Sequence, residues 1–224
     1  MKIFKSISIL HILLVSFSIS AMGPIIERYN KARDGEAIQK ILKDNYETLT
    51  YEFLGQPEGT TNKYLESSKF ITDVIRIDGK TIGFVNYIAY NGTFCTFHIG
   101  RYGMIHLIGI DTDYQHNGYG EMLLDHALAT LKQENTPIIF LAVKTDNVKA
   151  RSLYEKKNFS CNLPPAAQSH TPQLFYSLTV EVPADQLPQG NFVQRYPKTC
   201  LGITIIGIGA YMYATHWLKS ALHV

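Results

Sequence analysis

The stretch from Ile105 to Phe159 constrains the fold of this 224-residue chain more than any other part of its sequence. The apolar run Ile105–Ile110 leads into a glycine-rich turn, Gln115–Gly120, and then into a segment whose apolar residues have helical spacing. A second apolar run, Ile138–Val143, follows, and another helical pattern starts at Asn147. Strand, turn, helix and strand in this order predict a mixed α/β domain in which the helix packs on a sheet.

The residues before this stretch predict an antiparallel meander. The Asp78-Gly79 and Asn91-Gly92 pairs are typical hairpin turns between strands. Asp34 is a plausible N-cap for a helix whose apolar residues recur at spacings of three and four. The strands predicted in this region and after the second helix are Ile25–Tyr29, Phe70–Asp78, Thr81–Tyr90, one that starts at His98 or Met104 and ends at Ile110, Phe159–Cys161 and Gln173–Val182.

The helix that follows the glycine turn is predicted from Glu121 to Gln133, with a single apolar face that would pack on the sheet. The run Ile138–Val143 is almost entirely apolar, which is typical of a central strand buried on both faces. The next helix is predicted from Asn147 to Lys157.

The glycine turn is a candidate phosphate site. A helix start presents unpaired N–H groups and the positive end of the helix dipole, and both favour phosphate. Gly118 and Gly120 would let the backbone approach a pyrophosphate closely. The pattern differs from a P-loop and lacks the first glycine of a dinucleotide fingerprint, and a Gly-x-Gly pair at this place also occurs as a purely structural turn.

Two motifs together resemble the Gcn5-related N-acetyltransferase (GNAT) superfamily. The first reads Gln/Arg-x-x-Gly-x-Gly/Ala and is matched by Gln115, Gly118 and Gly120. The second reads Asn-x-x-Ala-x-x-x-Tyr-x-x-x-Gly-Phe and is matched by Asn147, Ala150, Tyr154 and Phe159. In element order, the resemblance covers roughly residues 25–182.

The resemblance implies a mixed, mostly antiparallel sheet, flanked by helices, in which two central parallel strands splay apart and hold acetyl-CoA between them. Those strands would end at Ile110 and Val143. The residues implied in cofactor binding are Ile110 and Thr112 through their backbones, Gln115, His116, Asn117, Gly118, Tyr119 and Gly120 around the pyrophosphate, and Asn147 along the cofactor arm. Tyr154 would protonate the leaving thiolate, and the function implied is acetyl transfer to a primary amine of a small molecule, peptide or protein.

Two positions depart from the family pattern. Asn158 stands where glycine is preferred, although asparagine also tolerates a left-handed backbone. Ala142 stands where some relatives that acetylate protein N-termini have a glutamate base. His106, Glu52 and His98 are then the candidate bases, and deprotonation through water is an alternative. A non-catalytic binding module at a membrane, or a protein that binds nucleotides through the glycine turn alone, are the competing functional hypotheses.

The two ends of the chain are apolar. Residues 1–22 have the layout of a signal peptide or signal anchor, and residues 200–218 have the length and composition of a transmembrane helix. A linker, residues 183–199, would join that helix to a domain spanning residues 24–182. The signal-like segment predicts export, whereas the basic residues before the second segment favour a cytoplasmic domain.

Composition excludes some classes of partner. The formal net charge of +2 and the scattered basic residues argue against a nucleic-acid surface. Three widely separated cysteines indicate neither a disulfide framework nor a metal site, although a Cys95–Cys161 disulfide would be possible in an exported chain.

Overall fold

The computed structural model describes residues 23–45, 65–94, 97–161 and 173–181. Within these ranges, seven strands form one sheet and three α-helices pack beside it. The strands are Ile25–Arg28 (β1), Ile71–Ile77 (β2), Lys80–Phe94 (β3), Phe97–Ile110 (β4), Ile138–Lys144 (β5), Ser160–Cys161 (β6) and Gln173–Thr179 (β7). The helices are Lys31–Asp44 (α1), Tyr119–Gln133 (α2) and Val148–Lys156 (α3), and a short 3-10 helix, Thr112–Tyr114, follows β4.

The sheet is mixed and mostly antiparallel, as the sequence predicts. Its strand order is β1-β2-β3-β4-β5-β7-β6. The central pair, β4 and β5, is parallel, and every other neighbouring pair among the described strands is antiparallel. The only connection between the two parallel strands is the stretch that contains the glycine turn and α2, so this turn lies beside the end of β4.

The β2–β3 hairpin has the predicted Asp-Gly turn. Asp78 and Gly79 both have positive φ, +47° and +79°, and Ile77 pairs directly with Lys80 across the turn. Positive φ at both central residues is the conformation that lets a two-residue turn follow the twist of its strands.

The second predicted hairpin turn is wrong. Asn91 pairs with Arg101 and Gly92 with Gly100, so β3 continues through the Asn-Gly pair to Phe94. The register shifts between Gly92 and Thr93, which indicates that the pair causes an irregularity in the ladder instead of ending it. Continued pairing with β4 therefore overrides the local turn preference.

The predicted N-cap of α1 is also wrong, by one helical turn. The N-cap is Asn30, whose side-chain oxygen accepts a hydrogen bond from the N–H of Arg33 at 3.3 Å. Asp34 lies within the helix, and its carboxylate accepts a hydrogen bond from the Asn30 N–H at 2.8 Å. Asp34 thus contributes to the helix start from inside the first turns.

Two hydrophobic cores lie on opposite faces of the sheet. The single apolar face that the sequence predicts for α2 lies in the core beneath this helix, where its buried residues are Leu123, Leu124, Ala127, Leu128 and Leu131. The core beneath α1 contains Ile38, Ile41, Leu65, Val74, Phe84 and Leu107. Because each fully buried aliphatic side chain stabilises the fold by about 1.5–3 kcal/mol, these two layers fix both helices on the sheet.

The predicted apolar segments at the ends of the chain, 1–22 and 200–218, lie outside the described residues, as does the linker, 183–199. Within the part of the chain that the structure describes, no helix has both the length and the apolar character needed to cross a membrane. The signal and membrane predictions therefore stay predictions.

Candidate functional site

The parallel strands β4 and β5 separate towards their carboxyl ends. They pair at three successive positions, Gly103 with Ile139, Met104 with Phe140 and Ile105 with Leu141. The described parts of the two strands form no further ladder pair, although β4 continues to Ile110 and β5 to Lys144. A gap therefore opens between the last residues of these two strands.

A β-bulge at His106 gives a physical reason for this separation. In the ladder between β3 and β4, Tyr87 pairs with Ile105 and Asn86 pairs with Leu107, so His106 is an extra residue on β4. A bulge bends its strand and increases the local twist. Since the pairing with β5 ends directly before His106, the bend turns the end of β4 away from β5.

The backbone at the end of β4 faces the gap. The Asp111 N–H donates to the carbonyl of Ile82 on β3 at 2.8 Å, so residue 111 faces β3 and residue 110 faces the opposite edge. The Ile110 carbonyl already accepts hydrogen bonds from the side-chain amides of Asn45, at 3.2 Å, and Gln115, at 3.3 Å. The predicted role of Ile110 in holding the cofactor arm is therefore limited to its N–H.

Asn45 and Gln115 also bind each other. The Gln115 amide donates to the side-chain oxygen of Asn45 at 2.9 Å, and Asn45 donates to the Ile41 carbonyl at 2.8 Å. Three separate elements, the end of α1, the end of β4 and the glycine turn, are joined by these bonds. The Gln115 side chain thus fixes the turn from within the protein, whereas the sequence predicts only that it lines the cofactor site.

Two residues of the glycine turn have left-handed backbone conformations. Gly118 is the N-cap of α2 at φ +81°, where a side chain is disfavoured, and His116 has φ +67°. The Asn117 amide donates to the carbonyls of Tyr114 and Gln115, which closes the turn on itself. Gly120 lies in the first turn of α2, and a Cβ there would meet only Ile110 at 3.9 Å, so its lack of a side chain leaves space over the helix start.

Thr112 is not a continuation of β4. It begins the 3-10 helix, which Asp111 caps by accepting a hydrogen bond from the Asp113 N–H at 3.1 Å. The Thr112 carbonyl lies 3.5 Å from the Gln115 N–H, so it belongs to the turn. Its predicted pairing with the pantetheine arm requires a geometry that differs from that of an extended strand.

The second motif forms α3 as predicted. Asn147 is the N-cap, and its side-chain oxygen accepts from the Ala150 N–H at 3.1 Å, which leaves its amide nitrogen as the group that can contact a cofactor. Asn158 ends the helix at φ +64°, the left-handed conformation that the sequence predicts at this position. The two motifs meet in space, because the Lys149 amine of α3 lies 3.3 Å from the His116 imidazole of the glycine turn.

Tyr154 lies on α3 and is buried between two aromatic rings. Its ring centroid is 6.0 Å from that of Phe159 and 6.4 Å from that of Tyr176. Burial raises the pKa of the Tyr154 phenol to about 12, so the phenol is protonated at neutral pH. Within the described residues its hydroxyl has no hydrogen-bond partner, which is compatible with the predicted role as proton donor.

The sequence does not predict the hydrogen-bond network that lies beneath Tyr154. The Tyr176 hydroxyl on β7 donates to the Glu155 carboxylate at 2.7 Å and accepts from Arg151 at 3.3 Å. Arg151 also donates to the Thr145 carbonyl at 3.0 Å, directly after β5. These bonds join α3 to β5 and β7, and so they fix the helix that carries Tyr154.

His106, the candidate base, is half-buried on the bulge, with its ring 5.4 Å from that of Phe70. Burial lowers the pKa of the His106 imidazole to about 4. Protonated amines have pKa values of about 8 to 10, so such an imidazole is too weak a base to remove their proton. The other candidates add nothing here, because Glu52 lies outside the described residues and only the backbone of His98 is described.

Ala142 stands at the position where the resemblance implies a glutamate base in some relatives. It lies on β5, pairs with Phe175 on β7 and is half-buried. An alanine cannot accept a proton, so β5 supplies no base at this position. The described part of the site thus holds a candidate acid and a candidate cofactor cradle.

A model of the acetyltransferase (GNAT) family matches residues 36–159. The match covers both motifs, β4, β5 and all three described helices except the first turn of α1. The chain belongs to this family.

Two curated relatives are ribosomal-protein bS18-alanine N-acetyltransferases. The one from Salmonella typhimurium is 31% identical over 80 residues, 34% of this chain and 54% of the relative. The one from Escherichia coli K12 is 36% identical over 53 residues, 24% of this chain and 36% of the relative. The chain therefore spans about half the length of these relatives, or less.

Solved structures share the fold at low identity. The ribosomal-protein-alanine N-acetyltransferase from Brucella melitensis has a TM-score of 0.54 and 16% identity, with 70% of this chain and 99% of that chain covered. An N-acetyltransferase from Thermoplasma acidophilum in complex with coenzyme A has a TM-score of 0.53 and 15% identity, with 71% and 100% covered.

Proposed function

We infer that the protein is an acetyl-CoA-dependent N-acetyltransferase that acts on a primary amine. The observation that carries this proposal is the gap between β4 and β5, which opens beside the glycine turn on one side and α3 on the other. A pantetheine arm fits an open strand edge because it carries amide groups, and a pyrophosphate fits the start of α2. Family membership supports the same reaction.

The reaction needs positioning and proton handling. The neutral acceptor nitrogen attacks the thioester carbonyl carbon, a C–N bond forms, and the C–S bond breaks to release a thiolate. The Tyr154 phenol donates a hydrogen bond to that sulfur and passes it a proton, which the phenolate regains from solvent, while the acceptor nitrogen loses one proton to solvent. Holding the two reactants in line supplies much of the rate enhancement.

Water is the proposed proton acceptor for the amine. Position 142 carries no base, and the low pKa of His106 makes its imidazole a poor one. We therefore propose that the acceptor enters as the neutral amine or loses its proton through water. Amines with lower pKa values, such as α-amino groups at about 8, would then react faster than lysine side chains at about 10.4.

The proposal is tested by calorimetric titration with acetyl-CoA, followed by a thiol-release assay over a panel of amines. The panel includes a peptide with an N-terminal alanine, because the curated relatives are named for this substrate, together with a lysine peptide and small amines. Binding with turnover of at least one amine is expected. A lack of acetyl-CoA binding at millimolar concentration would refute the proposal.

A non-catalytic binding module is the second candidate, and Ala142 favours it because the site has lost a base that some relatives carry. This candidate predicts tight acetyl-CoA binding with no thiol release for any amine. Turnover that depends on Tyr154 would exclude it.

A further inference from the structure

The Lys149 amine and the His116 imidazole form an exposed contact between the two sequence motifs. Lys149 Nζ lies 3.3 Å from His116 Nε2, although the residues are 33 positions apart. His116 is part of the glycine turn, and Lys149 is the second residue of α3. The contact therefore bridges the starts of α2 and α3 at the edge of the gap.

This lysine differs from its neighbours in the type of its partner. Lys156 and Lys157 on the same side of the sheet bind the carboxylates of Glu121 and Asp125 at 2.7 Å. In the described part of the chain, Lys149 has no carboxylate partner, and it donates to an imidazole that must be neutral to accept. Among the described residues, its positive charge is therefore not neutralised by a carboxylate.

The two other lysines near the turn are already engaged. Lys80 lies over the Tyr114 ring at 4.7 Å from its centroid and 4.0 Å from the Asp111 carboxylate. Lys40 also reaches Asp111, at 3.4 Å. Both of these amines belong to the β3 and α1 side of the turn, whereas Lys149 approaches it from α3.

We propose that Lys149, assisted by His116, binds a phosphate group of coenzyme A. The inference depends on the proposed function, because it assumes that the cofactor arm lies in the gap. Backbone N–H groups at the start of α2 can bind one phosphate, and an ammonium that reaches over the turn from α3 adds a charge that no backbone group supplies. Its partner is either the pyrophosphate or the 3′-phosphate, and a series of ligands that lack these groups distinguishes the two.

The test compares three ligands by calorimetry on the full chain: coenzyme A, dephospho-coenzyme A, which lacks the 3′-phosphate, and pantetheine, which lacks every phosphate. Lys149→Gln is expected to bind coenzyme A about tenfold more weakly at low salt. Its loss relative to wild type should vanish for pantetheine. Lys149→Arg, which keeps the charge, should recover most of the affinity.

Lys132→Gln serves as the matched control, because Lys132 is an exposed lysine in the last turn of α2, far from the start of that helix. It should bind all three ligands as the wild type does. A loss with Lys149→Gln that persists for dephospho-coenzyme A assigns the pyrophosphate, and a loss that disappears assigns the 3′-phosphate.

Three results would overturn the inference. Equal affinity of wild type and Lys149→Gln for coenzyme A would show that the amine binds no phosphate. An equal loss for coenzyme A and pantetheine would show general damage to the site. Failure of the wild type to bind coenzyme A would refute both this inference and the proposed function. If the wild type binds coenzyme A and Lys149→Gln binds it equally well, only this inference is refuted.

Discussion

Burial keeps two side chains near the gap, Tyr154 and His106, in their neutral forms. This favours the proposed catalytic role of Tyr154 and disfavours that of His106. Burial disfavours the charged form of each group, so it raises the pKa of the phenol and lowers the pKa of the imidazole. Both side chains are neutral at physiological pH. A neutral phenol is a competent hydrogen-bond donor, whereas this neutral imidazole is a weak proton acceptor.

Replacing Tyr154 by phenylalanine removes the donor and keeps the ring that packs on Phe159 and Tyr176. We expect kcat to fall by about 10²-fold, a typical contribution of a positioned acid, with little change in acetyl-CoA affinity. Steady-state kinetics and calorimetry measure the two quantities. Tyr29→Phe, on the α1 side of the sheet, is the control. Unchanged turnover in Tyr154→Phe would remove the proposed role.

The pH dependence of the wild type gives a second test of the same residue. A group with a raised pKa stays protonated until the pH approaches that value, which is about 12 for Tyr154. The rate should therefore rise as the amine loses its proton and should not decline through loss of the phenol proton below about pH 11. A decline near pH 9 that is absent from Tyr154→Phe would show that the phenol titrates well below this raised pKa.

At the scale of elements, the end of β4 depends on a close approach by β3. A Cβ at Gly83 would lie 2.5 Å from the Ile110 side chain and 2.9 Å from the Gly109 carbonyl. Gly83→Ala must therefore displace β4 where it faces the gap. We expect a loss of stability of about 1–3 kcal/mol in chemical denaturation, together with weaker acetyl-CoA binding.

Gly35→Ala is the matched control for this substitution. Gly35 lies inside α1, and a Cβ there would meet Tyr29 and Lys31 at ordinary distances of 3.6 and 3.8 Å. Alanine is favoured over glycine in a helix, so this variant should be more stable by up to about 1 kcal/mol. Equal stability of the Gly83 variant and the wild type would show that β4 does not need this approach.

The start of α1 depends on the buried carboxylate of Asp34. It accepts hydrogen bonds from Thr81 at 2.7 Å and from Arg76 at 2.9 Å, in addition to the Asn30 N–H. Burial opposes its ionisation, but hydrogen bonds from Arg33 and Thr81 outweigh that effect and lower its pKa. The ionised form is therefore the one that stabilises the fold.

Asp34→Asn should lower the free energy of unfolding by about 3 kcal/mol at neutral pH, because it leaves Arg76 beside a neutral partner. Since the folded pKa is lowered, this contribution is present above pH 4 and is lost as the pH falls below that point. Asp44→Asn, which removes a more exposed pairing with Lys40, should cost less than about 0.5 kcal/mol. Denaturation curves at pH 7 and pH 3 measure the difference.

Some elements could be predicted from local sequence because local residues decide them. The Asp78-Gly79 turn and the buried face of α2 follow from positive-φ preference and helical spacing. The cofactor motifs are also local patterns. The Asn91-Gly92 pair shows the limit of such reasoning, since pairing with a distant strand overrides its turn preference.

At the scale of the whole molecule, the features that shape the gap arise from contacts between distant residues. Asn45 and Gln115 are 70 positions apart, and no pattern in the sequence links them. Tyr176 lies 25 positions from Arg151 and joins it only because β7 lies beside β5. The sequence therefore predicts candidate residues for the cofactor site, but it does not predict the contacts that hold the surrounding elements in place.

The predicted terminal segments make the location of the folded domain testable. A transferase needs acetyl-CoA, so the proposed function predicts that the domain lies on the side of the membrane where this thioester is made. A reporter fused after residue 182, in a chain that keeps residues 1–23, measures that location. A reporter found on the exported side would favour the binding module instead.

The bulge at His106 makes the width of the gap depend on the number of residues in β4. Ile105 and Leu107 lie in different cores, on opposite faces of the sheet, because one extra residue separates them. Deleting His106 would make them direct neighbours and would keep each on its present face, while the strand lost its bend. Substituting His106 would change the side chain at the bulge but would leave the number of residues in β4, and therefore the bend, unchanged. In this fold, an insertion or deletion of one residue can thus open or close a binding site that point substitutions leave in place.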